Sequence, residues 1–437
     1  MATITRRHFL AASGSAALSI GLFGNARAQE AAAKPLRVAT VFPSSTGQSL
    51  IKASLNDYIG DGGRMGAVLA DSLVGDAASK QGLQLTILLA NSPTVDAAIR
   101  AGERLVEIED IHALIGGVGD GQAEALSAIA EKAGIPFFNV GETSDALRKA
   151  CRRHTFHVEA SDAMYLDALA NLSAAQKYSR WFVVHEDTDT GAALLQRAKD
   201  AWTRLGNGEV VGAAAVQHAK LLYNEDLDSL AKSGADVVVL LLDDADQIAF
   251  LQQQEVAGIK LPSLTLPHTL TQTRDYIAAA RYEAKTTNPT HRIALWDTTM
   301  TANGAGEFND RYKSQYGEPA DPTAWSAFHA IKIMADTVHA VGSTDADAVI
   351  KHLESPDTTF DVLKGPGVSF RPWDHQLRQP LYAIKVDQNL EWSRTSLDSR
   401  INIATFDGEV PAATAGDHPQ KRFDKLGDDA SQSACKF

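Results

Sequence analysis

Acidic and hydroxyl side chains in this chain gather in short polar segments that follow apolar runs. Ser44 and Ser45 lie in Phe42-Pro43-Ser44-Ser45-Thr46-Gly47, and Asp120 lies in Gly117-Val118-Gly119-Asp120-Gly121. Glu142, Thr143 and Ser144 follow Val140-Gly141. Glu186, Asp187 and Asp189 belong to His185-Glu186-Asp187-Thr188-Asp189, and Asp243 and Asp244 open Asp243-Asp244-Ala245-Asp246. Hydroxyls donate to and accept from polar solutes, while ionised carboxylates accept only and draw ammonium groups or cations. A hard cation takes about six to eight oxygen ligands, mainly carboxylates and carbonyls, so a bound cation is one reading of these acids. The other is structural: Asp and Glu at helix starts are ordinary caps and dipole partners, and Asp187-Thr188-Asp189 reads equally as a turn. Both readings stay open on the sequence.

Residues that would make the chain an enzyme do not assemble. The sequence has no G-x-S-x-G elbow, no H-E-x-x-H and no spaced Cys/His zinc set. Gly116-Gly117-Val118-Gly119-Asp120-Gly121 lacks the spacing of a dinucleotide loop. His154 and His157 read as surface or core histidines, and Trp296-Asp297 either lines a hinge or simply packs. Arg371-Pro372-Trp373-Asp374 reads as a turn, with Arg371 paired to a local acid. The expectation is a non-enzymatic chain with no cofactor, a cation being the one bound group admitted.

The elements that must position these loops alternate. Strands are expected at residues 36–41, 83–89, 113–116 and from 136, with helices at 62–80, 95–108 and 122–133, the last ending at Gly134. The pattern restarts with helices at 163–176, 192–205 and 246–255 and strands at 181–184, 236–242 and 263–265. Strands separated by helices predict βαβ units and a parallel sheet. Helices follow at 305–316 and 324–341, then a late hairpin of 367–370 with 381–386. Beyond about residue 399 the chain reads as a polar tail. In such open α/β sheets, ligands sit at the carboxyl ends of the strands, where the polar segments fall.

The N-terminus reads as an export signal. Arg6 and Arg7 in Thr5-Arg6-Arg7-His8-Phe9-Leu10 precede an apolar stretch, and Ala26-Arg27-Ala28 offers a cleavage site before Gln29. Paired arginines followed by Phe and Leu match the twin-arginine type. The stretch is too short to stay as an anchor. Removing residues 1–28 takes the net charge from −13 to −16. That excludes nucleic acid, whose phosphates need Lys and Arg, and an anionic membrane surface. Roughly 400 remaining residues suggest two lobes. In an oxidising compartment the two cysteines, Cys151 and Cys435, are a disulfide candidate that the sequence leaves open.

Over roughly residues 35–390 the order of elements resembles the type I periplasmic binding proteins of ABC transporters, the leucine/isoleucine/valine-binding class. Three stretches resemble the branch associated with pyrroloquinoline-quinone-dependent (PQQ-dependent) alcohol dehydrogenase systems. They are His157-Val158-Glu159-Ala160-Ser161-Asp162-Ala163-Met164 with Asp167-Ala168-Leu169; Phe308-Asn309-Asp310-Arg311-Tyr312 with Ala324-Trp325; and Ser369-Phe370-Arg371-Pro372-Trp373-Asp374-His375-Gln376-Leu377-Arg378-Gln379-Pro380. The resemblance implies an α/β, two-lobed fold, each lobe a mainly parallel sheet flanked by helices, joined by several crossovers. It implies a first lobe of 35–157 plus about 296–362, a second of 158–295 plus about 363–395, and a tail of 399–437. It implies a monomer in the periplasm that takes a small polar solute or ion, closes around it, and presents it to an ABC permease in the inner membrane. Members binding amino acids hold the ligand carboxylate with Ser and Thr at these loops. This sequence keeps Thr143 and Ser144 but places Asp120 where a hydroxyl run is expected, which disfavours a plain branched-chain amino acid. A periplasmic sensor or a calcium- or lanthanide-binding protein on the same fold is the alternative.

Overall fold

The segment Lys-Pro-Leu-Arg-Val-Ala-Thr-Val-Phe forms strand β1 (Lys34–Phe42), and every side chain from Val38 onward is buried. Burial on both faces is what a central strand of a covered parallel sheet requires. β1 pairs with β2 (Leu83–Asn91) and β3 (Ala113–Gly116), and β4 (Phe137–Asn139) and β5 (Thr155–His157) extend the sheet. The order is β2-β1-β3-β4-β5, with all pairs parallel. The computed structural model describes residues 33–43, 55–119, 121–206, 208–391, 393, 395–435 and 437. The export segment 1–28, Ser44, Ser45 and Asp120 lie outside the described residues.

Helices α1 (Leu55–Lys80), α2 (Val95–Ile108), α3 (Gln122–Ala133) and the short α4 (Asp145–Lys149) connect these strands. Their ends follow local chemistry. Thr94 Oγ1 accepts from Ala97 N and starts α2. Gly134, at φ 70°, turns its N–H back to Ala130 O and stops α3.

After β5 the chain enters α5 (Asp162–Ala175) and a second parallel sheet, β7-β6-β8-β9, made of β6 (Arg180–Glu186), β7 (Glu209–Val216), β8 (Val237–Leu241) and β9 (Ser263–Thr265). Its helices are α6 (Asp189–Ala201), continued by a π turn at Trp202–Gly206, then α7 (Asn224–Lys232), α8 (Asp244–Val256) and α9 (Arg274–Glu283). Trp202 stacks on Trp181 at 4.7 Å, which anchors the π turn to β6.

From β10 (His291–Ala294) the chain returns to the first sheet as α10 (Ala305–Tyr316), α11 (Pro322–Val341) and α12 (Ala346–Leu353). α11 lies along α1 and over β1, β2 and β3. Trp296 stacks on Trp325 of α11 at 5.6 Å and donates to Asn309, so it packs. The fold is two-lobed, with parallel sheets flanked by helices.

Two expectations are corrected. Residues 367–370 and 381–386 do not form a hairpin with each other. β11 (Ser369–Phe370) pairs with β12 (Leu377–Arg378) across the turn that holds Arg371, whereas β13 (Leu381–Val386) pairs antiparallel with β10 and with β14 (Ala404–Val410). Nor is 399–437 a loose tail. After α13 (Leu397–Asn402) it supplies β14 and α14 (Pro419–Phe423), and Phe423 and Leu426 are fully buried. Its apolar positions are spaced too widely for periodicity to reveal them.

Cys151 and Cys435 are bonded, their Cα atoms 5.2 Å apart, inside the range a disulfide needs. Among the described residues, no helix is long and apolar enough to cross a membrane.

Candidate functional site

The turn after β4 is shaped by one asparagine. Asn139 Oδ1 accepts from Gly141 N and Glu142 N, while its Nδ2 donates to Glu142 O at 2.7 Å. Glu142 Oε1 accepts from Ser144 N at 2.8 Å, and buried Arg148 donates to the carbonyls of Glu142 and Ser144. The loop is thus fixed before any ligand arrives. It presents Glu142, Thr143 and Ser144 to a cavity of about 200 Å³.

The opposite wall comes from the second sheet. Glu186 ends β6, Thr190 and Gly191 open α6, Leu241 ends β8, and Leu242 and Asp243 follow it. Gly191 is required by space: a Cβ there would stand 2.0 Å from Glu186 O. His268, in the loop after β9, completes the wall. Its Nε2 lies 3.0 Å from Leu242 O, which can only accept, so that nitrogen carries the proton. The walls meet where Thr269 Oγ1 donates to Gly141 O at 2.6 Å.

Asp162, the first residue of α5, sits at the joint of the two walls. It is buried, its N–H donates to Thr143 O at 2.8 Å, and its Oδ1 has no hydrogen-bond partner. Burial raises its pKa to about 6; Asp145 adds to the rise, and His268 and a Thr143 hydrogen bond oppose it. A buried, unpaired carboxylate oxygen is costly unless a donor meets it. A ligand ammonium or amide N–H would supply that donor.

The structure therefore brings Glu142, Thr143, Ser144, Glu186 and Asp243 around one cavity. Asp187, Asp189 and Asp244 are not in its lining. Asp187 and Asp189 are exposed on either side of Thr188, whose Oγ1 accepts from Gly191 N to cap α6. Asp244 lies in the first turn of α8. These three do what acids at helix starts ordinarily do. Sequence reasoning missed Asp162, His268 and Thr190. For Asp162 no local signal existed, since an acid in the first turn of α5 reads as an ordinary dipole partner.

Three donors lie close enough to hold a metal. One ligand atom each from Glu186, His218 and Asp243 falls within 4.8 Å of the others. His218 Nδ1 is 2.7 Å from Asp243 Oδ2, while Asp243 Oδ1 caps α8 through Asp246 N. Two carboxylates and an imidazole suit a borderline cation such as zinc. They fit a hard cation less well, since it prefers about six to eight oxygens.

Comparison with known proteins places this geometry in a family. The family model described as periplasmic binding protein matches residues 54–391. The Leu/Ile/Val-binding protein homolog 7 of Brucella melitensis is 24% identical over 353 residues, covering 78% of this chain and 84% of that protein. A branched-chain amino acid ABC transporter periplasmic ligand-binding protein from Burkholderia xenovorans superposes with a TM-score of 0.76 at 16% identity, covering 92% of this chain and 99% of that one. The branched-chain amino acid transporter substrate-binding protein of Streptococcus pneumoniae, solved with isoleucine, gives a TM-score of 0.65 at 16% identity, covering 86% and 99%. With a cavity lined by acids, hydroxyls and leucines at the carboxyl ends of two parallel sheets and a family match over most of its length, this chain belongs to the periplasmic binding proteins, in the leucine/isoleucine/valine-binding class.

Proposed function

We propose that the chain is the exported substrate-binding component of an ABC transporter, and that it captures a small polar solute bearing an ammonium or amide group. The observation that carries the reading is the buried, unpartnered Asp162 Oδ1 beside Thr143 and Ser144, in a cavity whose far wall adds Glu186 and Asp243. The acids hold the cationic end of the solute. The hydroxyls of Thr143 and Ser144 hold its acceptors. Closure adds the second-wall contacts, and ligand shifts the closed population only by its differential affinity for that state. A permease in the inner membrane would then receive the solute. The lobes are residues 35–157 with about 296–362, and 158–295 with about 363–395. The twin-arginine signal at 1–28 directs the protein to the periplasm. The three motif stretches around residues 157–164, 308–325 and 369–380 support a place beside PQQ-dependent alcohol oxidation.

The test is a thermal-shift screen of the purified chain against amino acids, amines, amides, PQQ, calcium, a lanthanide and zinc. A ligand at about 100 times its Kd stabilises by about 2.7 kcal/mol. Amine- or amide-bearing solutes should shift the midpoint, and Asp162→Asn should abolish the shift. Stabilisation by neutral aliphatic compounds alone would overturn the reading. A second reading, a metal-binding sensor on the same fold, is favoured by the Glu186–His218–Asp243 cluster. It requires a chelator-reversible zinc shift that His218→Ala removes.

A further inference from the structure

A larger cavity, of about 250 Å³, lies away from the cleft, where α1, α10 and α11 meet, and shares no lining residue with it. Val74, Ala78, Phe308, Phe328 and Ala335 give it apolar walls. The charged pair Lys332–Asp336, 2.7 Å apart, also borders it.

His329 is the polar group of the wall that is wholly buried. Its Nδ1 lies 2.8 Å from the Trp325 carbonyl one turn back in α11. A carbonyl only accepts, so Nδ1 carries the ring proton. In the neutral ring Nε2 then has a lone pair, and that atom has no partner. Rings of Trp325 and Phe328, each 4.9 Å away, and of Phe308 at 5.6 Å hold the imidazole in place. Burial lowers the His329 pKa to about 3, so the ring stays neutral at physiological pH.

We infer that this pocket is a second ligand site, specific for an uncharged single-ring compound with a hydroxyl, a phenol, whose O–H donates to His329 Nε2. Size agrees: an engineered apolar cavity of about 150 Å³ accepts benzene, and a pocket of 250 Å³ has room for a ring with substituents. Charge agrees too. At His329 a carboxylate would meet the lone pair of a neutral imidazole, and the Lys332 ammonium on the same wall is already paired with Asp336, whereas a phenol supplies the missing donor. The site is independent of the solute proposed for the cleft.

The experiment is calorimetric titration of the full chain with p-cresol and with toluene, which has the same ring and methyl group but no hydroxyl. An ordinary hydrogen bond to an otherwise unpaired buried acceptor gives p-cresol about a tenfold advantage. His329→Phe should bring the two affinities within about twofold. Ala77→Trp, at an exposed wall position, should abolish binding of both, while Asp162→Asn in the cleft should change neither. Should His329→Phe fail to fold, the imidazole nitrogen shift of the wild-type chain serves instead: the Nε2 resonance moves with p-cresol and not with toluene. Equal affinities in the wild type, no binding of p-cresol, or binding that survives Ala77→Trp and is lost in Asp162→Asn would each overturn the assignment.

Discussion

Asp162 makes the cleft's chemistry depend on pH. Its folded pKa, about 6, is raised above the ordinary 3.8 by burial. A raised carboxyl contributes stability that is fully present below its unfolded value and is lost as pH rises through the folded value. The ligand-free protein should therefore gain from this residue as pH falls from about 7 to 4. Binding of an ammonium solute runs the other way, because it needs the ionised carboxylate. Affinity should fall below about pH 6, with one proton taken up per ligand released. Glu159, raised to about 7 and hydrogen-bonded to Tyr165 at 2.5 Å, titrates nearby. Asp162→Asn separates the two: titrations from pH 5 to 8 should show a sloped affinity in the wild type and a weak, flat one in the variant. An unchanged slope would assign the dependence to Glu159. At this scale the sequence was informative where a polar loop ends a strand, as at Glu142–Ser144, Glu186 and Asp243. Asp162 and His268 were not legible, because a crossover and a neighbouring loop bring them into the cleft and no local pattern encodes either.

Elements carry that placement, and most of them were legible. Helices 95–108, 122–133 and 305–316 agree with their expected bounds because one strong end signal marks each: the Thr94 cap starts the first, and Gly134 and Gly317 stop the other two. β7 escaped notice: Gly212 and Ala213 to Ala215 form an edge strand with small, half-exposed side chains and little apolar contrast. The hairpin expectation failed since strand pairing is non-local, and β13 finds β10 and β14 in place of its sequence neighbour. The tightest element contact at the site is Gly191 against the end of β6. Gly191→Ala should push the start of α6 off Glu186, costing about 1–3 kcal/mol as overpacking does and weakening solute binding as well. Thr188→Ala, which removes only the cap of that helix, should cost about 1 kcal/mol with less effect on binding. Denaturant midpoints and titrations of the two variants check the contrast. Equal binding losses would mean that the helix end matters and the close approach does not.

Across the whole molecule, the C-terminal segment is the feature the sequence concealed, and it fastens both lobes. Cys435 is bonded to Cys151, which precedes β5 of the first sheet. Asp428 pairs with Arg197 of α6 at 2.8 Å, and Gly427 N donates to Asp167 of α5 at 2.7 Å. Between them, Asp424 receives Arg371 at 3.1 Å and Arg378 at 2.8 Å from the β11–β12 turn. Phe437 stacks on His375 at 4.0 Å. Composition reads this stretch as a solvated tail because its buried apolar residues, such as Phe423 and Leu426, are few and its polar contacts and cysteine are meaningful only beside their distant partners. The bond joins residues 284 apart, and removing a native disulfide costs about 2–5 kcal/mol in small secreted domains. Cys435→Ser should lower the unfolding midpoint by a comparable amount, and a reductant should do the same to the wild type and nothing further to the variant. Arg371→Ala strips the buried guanidinium from Asp424 and from Leu426 O, and should also destabilise the chain. Because both changes release the same segment, the double variant should lose less than the two single losses added together. Full additivity in a denaturant titration would mean that the disulfide and the Arg371 cluster hold separate parts of the molecule and that the segment is not a single strap.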